Sequence, residues 1–253
     1  MIQHDTMGDY KIEMSIPVAA RCLLFLGVGQ QGSSFRSIAK DFPDTVVVGP
    51  LPYHLFPQAK FEDIATKIIT EIIEKNVTSY HIESVIAESQ SAPGVVQALA
   101  RMQCGQIKNV VLMAPLGLNK SALGNDPAMR YKELILRSRQ FWLHKNQRIS
   151  ITGNRNTLTN IVWSFLRYWR RFRDDYTAGA NQDITQSLSL LASQSHVTIY
   201  ADSGDSLFPY NEIAKAVQGL PISLHKTSYG SHLNRATPLG IKELRQVIQS
   251  VSE

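Results

Sequence analysis

A serine set among small residues, an aspartate at a strand end and a histidine in a loop are the residue types that acyl transfer requires, and this sequence holds one candidate setting for each. Ala87-Glu-Ser89-Gln-Ser91 follows the apolar run Ser84-Val-Ile-Ala87. A strained strand-to-helix turn lifts such a serine out of a sheet, and bulky residues two before or two after it would clash with the neighbouring backbone. The blander role, a serine capping the following helix, suits Ser91 near Pro93 and leaves Ser89 exposed. A second segment, Ala201-Asp-Ser-Gly-Asp205-Ser-Leu-Phe-Pro209, follows the apolar run Val197-Thr-Ile-Tyr200 and offers two acids, Asp202 and Asp205. A third, Tyr229-Gly-Ser-His232-Leu, lies between the last strand and the last helix. Of the other histidines, His225 falls within an alternating strand, His196 begins one, His4, His81 and His144 have no partner pattern, and His54 after Pro50-Leu-Pro-Tyr53 can line a pocket mouth.

The chemistry needs all three types together. A serine hydroxyl is a poor nucleophile at neutral pH, so a histidine must take its proton, and a carboxylate must hold the imidazole in the right tautomer. Two N–H donors must also meet the oxyanion that develops. A glycine loop, Gly27-Val-Gly29-Gln-Gln-Gly32, follows the first buried strand and reads three ways: a dinucleotide loop, a plain turn, or a loop that presents an amide to an oxyanion. The dinucleotide reading wants a carboxylate at the end of the next strand, where Val46-Val-Val48 instead runs into Gly49-Pro50.

These segments together resemble the alpha/beta-hydrolase fold family. Ala87 and Ser91 stand where its nucleophile elbow more often has glycines, and the chain order Ser89, Asp205, His232 matches its Ser–Asp–His order. The family often places its acid three residues before a hydrophobic-Pro pair, which selects Asp205, while Asp202 occupies a position usually filled by a turn glycine. The resemblance further implies that the backbone amides of Val28 and Gln90 form the oxyanion hole, without metal or organic cofactor. The family commonly has His-Gly where this chain has Leu26-Gly27, which leaves open what supports the loop, although the amide itself remains. The expected reaction is hydrolysis of a carboxylic ester or related acyl bond through an acyl-Ser89 intermediate. The alternatives are a non-catalytic ligand-binding protein on the same fold and, less favoured, a dinucleotide-dependent enzyme.

The elements that must position these residues follow an α/β pattern. Cys22-Leu-Leu-Phe-Leu26, Thr45-Val-Val-Val48, Ser84–Ala87 and Asn109–Met113 are short apolar runs of the kind that fully buried parallel strands require, and Tyr10–Ile16 alternates. Phe61, Ile64, Ala65, Ile68, Ile69, Ile72 and Ile73 recur at helical spacing on one face. The alternation stops after Pro115 and resumes with Val197–Tyr200, a helix near 210–217, strand Ile222–Lys226 and a helix from Pro238 capped by Thr237. The expectation is a mostly parallel central sheet flanked by helices, with core segments 1–116 and 196–253 and a helical cap insertion over 117–195.

Charge singles out the same insertion. Residues 117–195 hold twelve Lys/Arg against five Asp/Glu, a local +7, whereas the rest of the 253-residue chain holds 14 basic and 16 acidic residues. Ile161, Phe165, Tyr168, Trp169, Phe172 and Tyr176 share one helical face, with Arg167, Arg170 and Arg171 toward the other. Such a helix can lie peripherally on an anionic membrane, but a lid packed on a hydrolase core gives the same pattern. No nucleic-acid signature accompanies the arginines, so a small-molecule acyl substrate is the expected partner, and the oligomeric state is left open. Met129, Phe141, Trp142 and Trp163 can line an acyl pocket. Cys22 and Cys104 lack CxxC or Cys/His spacing and read as reduced thiols, and the start, MIQHDTMGDYKIEM, lacks a secretory pattern, so a cytoplasmic protein is expected.

Overall fold

The computed structural model describes residues 2–7, 10–27, 30, 33–50, 61–102, 105–118, short pieces between 126 and 167, 182–227 and 238–252. Eight strands form one sheet: β1 (Ile2–Met7), β2 (Tyr10–Ser15), β3 (Cys22–Phe25), β4 (Thr45–Val48), β5 (Ser84–Glu88), β6 (Asn109–Met113), β7 (His196–Asp202) and β8 (Ile222–Thr227). Their spatial order is β1-β2-β4-β3-β5-β6-β7-β8. Strands β4, β3, β5, β6, β7 and β8 run parallel, and β1 and β2 add an antiparallel edge.

Side chains along a strand point alternately to the two faces, and the core divides accordingly. Leu23, Phe25, Val46, Val48, Val85 and Ala87 join one buried cluster, whereas Cys22, Leu24, Leu26, Val47 and Ile86 join the other. The first face is covered by α2 (Phe61–Ser79), α3 (Ser91–Met102), α4 (Thr185–Ala192) and α5 (Tyr210–Ala216), and the second by α1 (Ser33–Asp41) and α6 (Pro238–Ser252). Because both faces are covered, β3, β4 and β5 are buried along their whole length, which explains their unbroken apolar runs. Burial pushes the Cys22 thiol up to about 12, so it packs as an inert hydrophobe. Cys104 lies outside the described residues.

The two ends of the middle of the chain meet at Gly117 and Ile184. Gly117 has φ +92°, and a Cβ there would sit 3.0 Å from the Ile184 side chain. The Ile184 N–H donates to the Gly117 carbonyl at 3.0 Å, so the exit and re-entry of residues 118–183 touch. After re-entry, Ile184, Leu188 and Leu191 are buried in the core cluster and α4 packs on the first face of the sheet. Among the described residues of the excursion, 128–129, 132–133, 135–137, 162–163 and 166–167 are helical. Arg137 ties the excursion to the core: its guanidinium makes a bidentate pair with Glu212 on α5 and a third bond to Glu133 at 3.1 Å. No helix among the described residues is long and apolar enough to cross a membrane.

Candidate active site

Parallel strands aim their C-terminal ends at one edge of the sheet, and where successive connections diverge to opposite sides they leave a crevice there. The divergence here lies between β3, whose chain continues to β4 on one side, and β5, which starts the series β5-β6-β7-β8 on the other. The loop after β3 begins at Leu26-Gly27, and the turn after β5 holds Ser89 and Gln90. The sequence placed the start of its glycine loop and its serine on these two strand ends, and the structure brings Gly27 and Ser89 together.

Ser89 has φ +49°, one of two non-glycine residues with positive φ among those described. An L-residue held there costs about 1–2 kcal/mol, which the surrounding bonds must offset. The Ser89 N–H donates to the Met113 carbonyl at 2.9 Å, and the Ser89 carbonyl accepts from Leu116 N–H at 3.1 Å and Ala92 N–H at 3.2 Å. These bonds hold the elbow through its backbone. Ser91 contributes differently from the capping role the sequence allowed: its hydroxyl donates to the Glu88 carbonyl at 2.8 Å and stands 3.2 Å from the Phe25 carbonyl, where the ends of β5 and β3 meet.

The approach of the two loops explains Gly27. A Cβ at that position would stand 3.3 Å from Ser89 Cβ and 3.6 Å from the Glu88 carbonyl oxygen, so a larger residue would press on the elbow. The second positive φ, +44° at Ala114, follows the adjacent strand β6, and the Ala114 N–H is bound to the Tyr200 carbonyl at 2.9 Å. Two strained residues at neighbouring strand ends mark this edge as the place where the fold stores strain. Ala114 was missed in the sequence, and its position before Pro115 argues locally for extended backbone.

The acid segment follows β7, two strands from β5 and thus about 10 Å across the sheet at ordinary strand spacing. Both acids are buried, Asp202 at 4% and Asp205 at 2% exposure. Asp202 Oδ1 accepts from Gly204 N–H at 2.6 Å and its Oδ2 accepts from the Thr227 hydroxyl at 3.3 Å, so both its oxygens bind the turn and β8. Asp205 Oδ1 accepts from Leu207 N–H (2.8 Å) and Phe208 N–H (3.1 Å), a fork that fixes the carboxylate plane at the strand edge. His225 is a strand residue whose ring stacks on Tyr200 with centroids 5.0 Å apart. Gln90, whose amide directly follows Ser89, is half-buried in the elbow, and Trp163 is exposed on the excursion. His232, Val28, His54 and Trp142 lie outside the described residues.

The glycine loop has support that the sequence reading left open. Gly27 N–H donates to Gln30 Oε1 at 2.9 Å and to Glu88 Oε2 at 3.4 Å, in the region where the family commonly has a histidine. The dinucleotide alternative gains nothing from β4, which ends at Val48 and passes to Gly49 with no acid at its terminus. Among the described residues no group of three or more His, Cys, Asp or Glu is placed to hold a metal ion. A groove of about 620 Å³ lined by Arg21, Cys22, Asp44, Tyr80 and His81 sits at the N-terminal ends of the parallel strands, away from the elbow.

No family model and no curated protein sequence matches the chain. Solved structures do match it across nearly its full length. An alpha/beta hydrolase from a Medee basin deep-sea metagenome superimposes with a TM-score of 0.65 at 12% identity, covering 99% of this chain and 96% of that one. A hydrolase from Oleispira antarctica gives a TM-score of 0.66 at 14% identity, with 94% of each chain covered. E-2-(acetamidomethylene)succinate hydrolase gives 0.64 at 14% identity, over 98% of this chain and 99% of that one. With the strand order, the strained serine after β5 and these superpositions in agreement, the chain has the alpha/beta-hydrolase fold.

Proposed function

We propose that this protein is a serine hydrolase that cleaves a carboxylic ester or related acyl bond through an acyl-Ser89 intermediate. The observation that carries the reading is the left-handed backbone of Ser89, held by backbone bonds to neighbouring segments while Gly27 packs beside it. Strain of this kind persists only where the surroundings over-determine it, and a serine that merely ended a strand would need none.

In this reading Ser89 Oγ attacks the acyl carbon as His232 takes the hydroxyl proton, and the oxyanion is met by the N–H groups of Gln90 and Val28. Collapse of the tetrahedral intermediate expels the alcohol, which leaves with the proton held by His232. Water then attacks the acyl-enzyme with His232 again as base, releasing the acid and free Ser89. Asp205, oriented by its two amide bonds, holds the His232 imidazole and stabilises its cation. Of residues 117–195, those before α4 act as the cap over this edge, while α4 packs with the core segments 1–116 and 196–253. Their +7 charge favours an acyl substrate that bears a negative group. One structural neighbour is, by its name, a hydrolase of a substituted succinate, a substrate class that fits such a cap.

Turnover of activated esters of graded acyl length by the wild type and by Ser89→Ala tests the reading. The expected result is turnover by the wild type and none above background in the variant. Near-wild-type activity in Ser89→Ala would remove Ser89 from the mechanism.

A further inference from the structure

Gly27 has both of its polar backbone atoms bound to one residue. Its N–H donates to Gln30 Oε1 at 2.9 Å, and its carbonyl oxygen accepts from the Gln30 N–H at 3.3 Å. An N–H donor selects the oxygen of a carboxamide, so the side chain of Gln30 is oriented by this bond. Glu88 Oε2 stands at 3.4 Å from the same Gly27 N–H as a second acceptor, reached from the strand that carries Ser89. Both side chains are buried, Gln30 at 7% and Glu88 at 2% exposure, so these bonds are not exchanged for bonds to solvent. The Leu26 N–H, bound to the Val48 carbonyl at 3.0 Å, anchors the start of the loop to β4.

A peptide unit is planar, and the carbonyl of Gly27 shares its plane with the N–H of the next residue. A bond that holds this carbonyl oxygen therefore also sets the plane of the following amide. We propose that Gln30, assisted by Glu88, is the positioning residue of the oxyanion loop, clamping Gly27 from both sides so that the amide after it meets the developing charge. The proposal rests on the serine-hydrolase reading and deepens it. It assigns a catalytic consequence to two buried side chains, and it accounts for the burial of a glutamine in the glycine loop.

The test compares kcat and KM on one activated ester for the wild type, Gln30→Ala, Gln30→Glu and Gln30→Glu/Glu88→Gln, with Ser89→Ala run beside them and thermal unfolding recorded for each. A misplaced oxyanion donor weakens transition-state binding more than substrate binding, so Gln30→Ala is expected to lower kcat about 10- to 100-fold with KM within about twofold. Gln30→Glu places two carboxyl groups against one N–H and is expected to lose at least as much. The double variant restores one carboxyl and one carboxamide at the clamp and is expected to recover most of kcat. Folded Gln30→Ala with wild-type kcat, a loss expressed only in KM, or a double variant no better than Gln30→Glu would each overturn the proposal while leaving the serine reading intact. Wild-type turnover that survives Ser89→Ala would overturn the reading, and this inference with it.

Discussion

The turn after β5 and the turn after β7 each hold a candidate catalytic side chain at the same edge of the sheet, yet they are built differently. The first is held by backbone bonds to Met113, Ala92 and Leu116, and it carries a strained φ at Ser89. The second is held by carboxylates: Asp202 binds Gly204 and Thr227, and Asp205 binds Leu207 and Phe208. In the proposed mechanism the atom that reacts in the first turn is the Ser89 hydroxyl, whereas the bonds to Met113, Ala92 and Leu116 are made by the backbone. In the second the proposed acid also carries turn bonds, so changes there are expected to affect stability as well as rate.

The sharpest form of that contrast lies at Ser89. Ser89→Ala is expected to lower turnover of an activated ester about a millionfold, or to background, with an unchanged unfolding midpoint. Ser89→Gly is expected to be equally inactive but more stable than Ser89→Ala by about 1 kcal/mol, because glycine relieves the left-handed strain. Denaturant unfolding of the two variants measures the difference, and equal stability would remove the strain argument.

The acid turn gives smaller and mixed effects. Asp205→Asn keeps an oxygen for Leu207 and Phe208 but leaves the histidine in the wrong tautomer, so it is expected to cost about ten-thousandfold in rate with a modest change in stability. Asp205→Ala should add a stability loss of about 1–3 kcal/mol, since two buried amides lose their acceptor. Asp202→Ala should lose a similar amount of stability while its rate stays within about tenfold of wild type. A crippled Asp202→Asn beside a wild-type Asp205→Asn would reverse the two roles. The rate of the wild-type enzyme should rise with pH through one ionisation, because attack needs a neutral imidazole and a free imidazole titrates near ~6.5. His232→Ala should abolish that dependence, whereas His225→Ala should retain it.

Smaller still are effects in the excursion. Removing Arg137 leaves Glu212 and Glu133 without their shared cation, and Arg137→Ala is expected to cost about 2 kcal/mol in unfolding free energy. Matched neutral and anionic esters at low salt should differ in kcat/KM in favour of the anionic one, and added salt should reduce the difference. Equal rates at low salt would separate the charge of residues 117–195 from substrate choice.

What the sequence disclosed follows from the range of each interaction. The buried strands β3, β4, β5 and β6 were legible because a sheet covered on both faces favours apolar residues through their middles, with polar residues such as Thr45, Ser84, Glu88 and Asn109 at the strand ends. The elbow was legible because its steric demand falls on residues two places away, Ala87 and Ser91. Strand β1 was not, since Gln3, His4, Asp5 and Thr6 give an edge strand no apolar pattern, and its place is fixed by pairing with β2. The clamp at Gly27 was invisible for a related reason: Glu88 lies 61 residues away, and only the register of β3 against β5 brings it there. The two acids of the β7 turn looked like one turn residue and one catalytic residue, but in the fold both carry turn bonds, which distance along the chain could not distinguish.

The central claim is that Ser89 Oγ forms the covalent intermediate. Treatment of the native protein with a fluorophosphonate ester, followed by peptide mapping of the adduct by mass spectrometry, measures this directly. The account predicts a single adduct on Ser89, with loss of ester turnover in step with labelling and no adduct in Ser89→Ala. An adduct on Ser91 or another residue, or full labelling resistance in a protein that still turns over esters, would contradict it.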